Sequence, residues 1–192
     1  MANITIFGTG NMGTAIGTVF AAGGLSVQHI DSDTSDQTVS GDIVVLAVPY
    51  AAIASIAADR ADQLAGKIIV DISNPVNFET FDGLTVATDG SAAAELAAAL
   101  PQSQVLKAFN TNFAATLATG KVGDDITTVL VAGDDAEAKA AFTAAATTGM
   151  TVKVIDAGSL KRARELEAMG FLQITLAAGE KISWTSGFAV IA

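Results

Sequence analysis

The chain contains no cysteine, which removes disulfide staples, thiolate nucleophiles and thiolate metal ligands from consideration. Its single histidine has no partner at a metal-ligand spacing, so no zinc or iron centre is expected. Basic residues are scarce: 10 Lys and Arg stand against 20 Asp and Glu, a formal net charge of -10. Such a surface repels phosphate backbones and anionic lipid, so neither nucleic acid nor a membrane surface is an expected partner. Long apolar runs are also missing. The strongest, IVVLAVPYAAIASIAA from Ile43 to Ala58, is shorter than the roughly 20 residues a bilayer core needs, and Pro49 breaks it. MANITIFG carries no basic leader and runs straight into a strand pattern, which predicts a cytoplasmic protein.

What remains is an α/β pattern. Short β-branched runs at Ile4–Phe7, Ser26–Ile30, Ile43–Val48, Lys67–Ile72, Val105–Ala108, Thr127–Val131 and Thr151–Ile155 read as strands. Between them, Ala-rich segments at Asn11–Ala22, Tyr50–Leu64, Ser91–Leu100, Ala114–Ala118, Ala136–Ala146 and Leu160–Ala178 read as helices. Continuous apolar strands alternating with helices predict a doubly wound, mostly parallel sheet covered on both faces. A length of 192 residues suits one domain, with a helical extension from about residue 159. Asn74–Gly90, with turn signals at Asn74–Pro75 and Asp82–Gly83, reads as a loop over one end of the sheet.

The most informative segment is ITIFGTGNMGTAIGTVF. Gly8, Gly10 and Gly13 form G-x-G-x-x-G directly after a strand and directly before a helix. That context allows a tight turn, close approach of backbone to a diphosphate, and tight helix–strand packing. The first amides of the helix, at Asn11, Met12 and Gly13, then point at the phosphates along the helix dipole. Thr9 and Asn11 add side-chain donors. A Rossmann-type dinucleotide site is the expectation.

The next segment, HIDSDTSDQTVSGDIVVLAVP, holds four aspartates, three of them within Asp31–Asp36, and no Lys or Arg. In this fold the second strand ends beside the adenosine ribose, where an acid accepts a hydrogen bond from the 2′-hydroxyl. Asp31 stands 18 residues beyond Gly13, close to the expected ~20. Ser32 is a possible second contact, while Asp33 and Asp36 read as solvated loop residues. NADP would need a cation for its 2′-phosphate, and the first Lys or Arg in the chain is Arg60. Read locally, the residues favour NAD. Ser32 to Gly41 spans ten residues, too few for the helix and third strand that complete the first nucleotide-binding half. One strand and one helix are expected to be missing.

GTGNMG, LAVPY, DISNP, KAFNT and DAGSLKRARELE, in that order, resemble the deazaflavin-dependent NADP reductase family from Ile4 to about Ala178. The resemblance implies direct hydride transfer between a nicotinamide and a bound acceptor, in the namesake a deazaflavin. Such a transfer needs positioning more than acid–base groups. It also implies that Ala47, Val48 and Pro49, and the turn at Asn74 and Pro75, lie along the ribose and nicotinamide. Family members place a serine and then a basic residue at the end of strand two. Here Ser32 is followed by Asp33, so the resemblance implies NADP where the local residues favour NAD.

Lys107 and Asn110, at the carboxyl end of a strand, are the candidates nearest the chemistry. Lys107 could neutralise an anionic substrate or donate a proton, or simply reach solvent. Asn110 could orient a carboxamide, or cap the next helix. Lys161, Arg162 and Arg164 read as a solvated helix face paired with Glu165 and Glu167. His29 reads as structural, and Trp184 and Phe188 as core or homodimer packing. The expected function is an NAD(P)-dependent oxidoreductase acting on a small deazaflavin, flavin-like or carbonyl substrate. The alternative is a nucleotide-binding sensor without turnover.

Overall fold

Apolar strands without a polar face need cover on both sides, and helices supply it. The computed structural model describes residues 2–34 and 36–191. Strands β1 (Ile4–Phe7), β2 (Val27–Ile30), β3 (Ile43–Leu46), β4 (Ile68–Asp71) and β5 (Gln104–Ala108) pair in parallel. Helices α1 (Asn11–Ala22), α2 (Tyr50–Leu64) and α3 (Ala92–Ala99) connect them. The chain continues through α4 (Ala114–Thr119), β6 (Lys121–Val122), β7 (Asp125–Gly133), α5 (Ala136–Thr147) and β8 (Val152–Gly158). A 3-10 turn at Leu160–Arg162 and α6 (Ala163–Ala178) follow.

The eight strands form one sheet in the order β2-β1-β3-β4-β5-β7-β6, with β8 also pairing β7. Side chains alternate between two cores, as the two-residue period of a strand requires. Ile4, Ile6, Ile43 and Val45 pack against Ile16 and Phe20 of α1 and Phe142 of α5. Phe7, Val44, Leu46 and Ile69 face the other way, against Ile53 of α2, Leu96 of α3 and Ala163 of α6. No described helix is long and apolar enough to cross a membrane.

Two features differ from the sequence expectation. β7 runs antiparallel to β5, and β8 runs parallel to β7, so these two strands run against β1 to β5. β6 forms a tight hairpin with β7, Val122 opposite Asp125; two residues are too few to show a period. The abbreviated first half is as expected: β2 is the sheet edge, and no strand or helix lies among the described residues between Ile30 and Ile43. The chain leaves β1 toward β2 on one side and returns to β3 on the other. Carboxyl ends of strands open a crevice at such a reversal.

Candidate functional site

The glycine turn lies at that crevice. Gly8 adopts φ +110°, and a β-carbon there would stand 2.3 Å from Ala47 O. A β-carbon at Gly13 would meet Gly8 O, also at 2.3 Å. These two positions lock β1, α1 and the end of β3 together. Gly10 is different: a β-carbon there would meet nothing within 4 Å. Gly10 is also the N-cap of α1, no side chain caps that helix, and its first turn carries no acid. Uncapped first-turn amides beside an open glycine suit a diphosphate, so the residues present fit a dinucleotide.

A cleft of about 680 Å³ spreads from this turn, walled by Gly8, Thr9 and Gly10, by Ile30, Asp31 and Ser32, and by Ala47, Val48 and Pro49. These eight sequence candidates and Ile30 thus share one space. Asp31 Oδ1 accepts from the Asp33 and Thr34 amides, each at 3.1 Å, and from the Thr34 hydroxyl at 3.0 Å. Oδ2 accepts from Thr9 Oγ1 at 3.4 Å. The Thr34 hydroxyl, aided by the two amides, holds the Asp31 carboxyl below the usual aspartate value against a smaller effect of burial. Asp31 therefore shapes its own turn with one oxygen and presents the other toward the cleft. His29 is structural: its Nδ1 lies 3.2 Å from Gly8 O.

The fourth wall comes from α2. Ala52, Ile56, Asp59 and Arg60 line the same cleft as Asp31 and Ser32. This corrects the inference that the cofactor site has no cation near the strand end. Arg60 is remote in sequence and adjacent in space. Pro49, Ala52, Ile56 and Arg60 recur at helical spacing, the one signal that would have found it.

Asn11 and Met12 open on a second cleft of about 630 Å³ between α1 and α4, closed by Phe113 and Trp184. The two rings are tilted at 52° with centroids 5.0 Å apart, and Trp184 remains 54% exposed. Trp184 is therefore a cleft wall rather than a core residue. Phe188 also stays half exposed.

Lys107 is the main correction. It is fully buried, neither reaching solvent nor facing either cleft. Its Nζ lies 2.8 Å from Asp71 Oδ2 and 2.7 Å from Glu167 Oε1, and donates to Ser73 O at 2.5 Å. Asp71 is its cross-strand partner, while Glu167 also accepts from the first amides of α3, Ala92 N at 3.0 Å and Ala93 N at 3.3 Å. Burial pushes the Glu167 carboxyl above its ordinary value, and the Lys107 ammonium opposes that shift. The expected Arg164–Glu167 surface pair is absent because Glu167 points inward; Arg162–Glu165 does form, at 3.2 Å.

Asn110 belongs to the same sealed region. Its amide donates to Asn74 Oδ1 at 2.9 Å and to Leu166 O at 2.8 Å, and Asn74 Nδ2 returns a bond to Asn110 O at 2.8 Å. It does not cap α4, whose N-cap is Phe113. Asn74 and Pro75 lie at the end of β4 and line neither cleft. No described cluster of His, Cys, Asp or Glu could hold a metal ion.

Fold and cleft define a Rossmann-type dinucleotide-binding protein. Comparison with known proteins agrees. The family model for coenzyme F420-dependent NADP oxidoreductases matches residues 26–75, from the start of β2 to the Asn74–Pro75 turn. The F420-dependent NADP reductase of Methanocaldococcus jannaschii is 33% identical over 158 residues, 80% of this chain and 70% of that protein. Metalloreductase STEAP3 of Rattus norvegicus is 37% identical over 134 residues, 70% of this chain but 26% of that protein. A candidate F420-dependent NADP-reductase from Arthrobacter sp. FB24 superposes over all of both chains with a TM-score of 0.85 and 25% identity. The chain belongs to the F420-dependent NADP oxidoreductase family.

Proposed function

We propose that the protein transfers hydride between NADP(H) and a small planar acceptor of the deazaflavin or flavin type. The observation that carries this is the meeting of two clefts at one turn: Gly10 lines the first and Asn11 the second. A nicotinamide nucleotide supplies the hydride chemistry when bound. The protein's part is placement. The α1 amides hold the diphosphate, Asp31 Oδ2 accepts from a ribose hydroxyl, and Ala47–Pro49 form a dry wall. The tilted Phe113–Trp184 pair offers an aromatic wall for a fused ring.

A flavin-like acceptor is favoured over a carbonyl by chemistry. Carbonyl reduction needs a proton donor at the nascent alkoxide, and the Asn11–Trp184 cleft is lined by apolar, Thr and Asn side chains without a titratable group. The choice of NADP follows the family, and Arg60 in the cleft wall supplies a cation that the strand end lacks. The test is absorbance at the reduced nicotinamide band, with NADPH or NADH offered against a deazaflavin, FMN, a quinone and an aldehyde. Oxidation of NADPH by the deazaflavin or FMN is expected, with Trp184→Ala raising the acceptor KM. Turnover with the aldehyde alone would overturn the acceptor assignment, and no turnover with any of them would overturn hydride transfer.

A further inference from the structure

We infer that Arg60, on the third turn of α2, reads the 2′-phosphate of NADP from that helix rather than from the end of β2. This rests on the dinucleotide reading above and deepens it. The resemblance leads to a base after Ser32, and this chain has Asp33 there. Asp31, Ser32 and Asp59 line the adenosine end, and two carboxylates facing a phosphate dianion would repel it unless a cation stood between. Arg60 is the cation that lines the same cleft, and no Lys or Arg precedes it in the chain.

Its posture fits the task. Arg60 is half-buried, and its Nη1 donates to Gln37 O at 2.9 Å. Gln37 belongs to the segment that replaces the missing strand and helix, so the shortened loop itself braces the guanidinium. One of five N–H donors is used by that bond, leaving a fork suited to bidentate phosphate recognition. The abbreviated first half and the strand end without a base thus lie in the same region of the chain. With no third strand on that edge, α2 and the loop come together, and the cation is supplied from the helix.

The test is calorimetry on the full chain and on Arg60→Gln, with NADPH, NADH, 2′,5′-ADP and 5′-AMP. We expect Arg60→Gln to weaken NADPH and 2′,5′-ADP by about tenfold or more and to leave NADH and 5′-AMP unchanged. Moving the cation by combining Arg60→Gln with Asp33→Arg should restore NADPH affinity, a gain that a merely misfolded variant cannot show. An equal loss across all four ligands, or an unchanged NADPH-to-NADH ratio, overturns the assignment of Arg60 while leaving the dinucleotide site standing. Absence of binding by the unsubstituted chain to all four overturns both.

Discussion

Two groups of polar residues sit at the carboxyl ends of neighbouring strands, and they have opposite fates. At the end of β1 and β2, the α1 amides are left uncapped and the space over Gly10 is open. At the end of β4 and β5, Lys107, Asp71, Glu167, Asn74 and Asn110 bond chiefly to one another and to nearby backbone. A strand end is where ligands bind in an open α/β sheet, but that position alone does not make a ligand residue. What separates the two groups is how far their bonding capacity is met inside the protein: Lys107, Asp71 and Glu167 are mutually paired, although Asn110 Oδ1 keeps no partner. The open group leaves room and unused donors; the sealed group anchors α3 and α6 to the sheet and fixes the turn that carries Asn74.

The largest effect that would break this comparison is at Lys107. Lys107→Met leaves the Asp71 and Glu167 carboxylates buried without their cation, and removing one partner of a buried pair costs about 3–5 kcal/mol. Urea unfolding should show that loss, and adding Asp71→Asn and Glu167→Gln should recover much of it. If Lys107→Met instead kept its stability and lost nucleotide affinity, the sealed cluster would be a ligand site after all.

A smaller and sharper test lies within the glycine turn. Gly8→Ala forces an L side chain to φ +110° and into Ala47 O, so both stability and binding should fall, by about 1–3 kcal/mol for the backbone strain alone. Gly10→Val places its β-carbon where no protein atom lies within 4 Å and keeps an extended φ of -70° and ψ of -176°. It should melt near the parent temperature, because changes at such a position stay within about 1 kcal/mol, yet lose nucleotide binding by filling the cradle. Equal binding losses with equal stability losses would mean that Gly10 has no special relation to a ligand.

These contrasts also explain what the sequence could and could not reveal. The turn at Gly8–Gly13 and its flanking strand and helix are local, and their spacing alone defines them. Asp31 was legible because a strand end fixes its place. Lys107 was misread because its partner Asp71 lies 36 residues away in the chain, and Glu167 lies further still, on the last helix. Arg60 is hidden in the sequence because it stands far beyond Asp31 along the chain, although α2 brings it into the wall of the same cleft. β6 and the reversal of β7 depend on a two-residue hairpin and on pairing across the sheet, neither of which leaves a period to read.

The smallest effect is also the cleanest to measure, because Tyr50 is the chain's only tyrosine. It starts α2 directly after Pro49, between the open and sealed regions, and its hydroxyl donates to Glu95 Oε2 at 2.5 Å. That bond to a carboxylate, with desolvation and the charge of Glu95 adding to it, pushes the phenol up to about 12. The more distant charges of Glu167 and Asp71 act in the same direction. A folded pKa raised above the unfolded 10.0 means that the stabilisation is fully present below pH 10 and is lost as pH rises through about 12. Phenolate absorbance should therefore rise with a midpoint near 12 in the parent and at a lower pH in Glu95→Gln, where the first and largest cause is gone while desolvation and the charges of Glu167 and Asp71 remain. A midpoint near 10 in the parent would detach Tyr50 from Glu95, and with it the link between α2 and α3 that joins the open cleft to the sealed one.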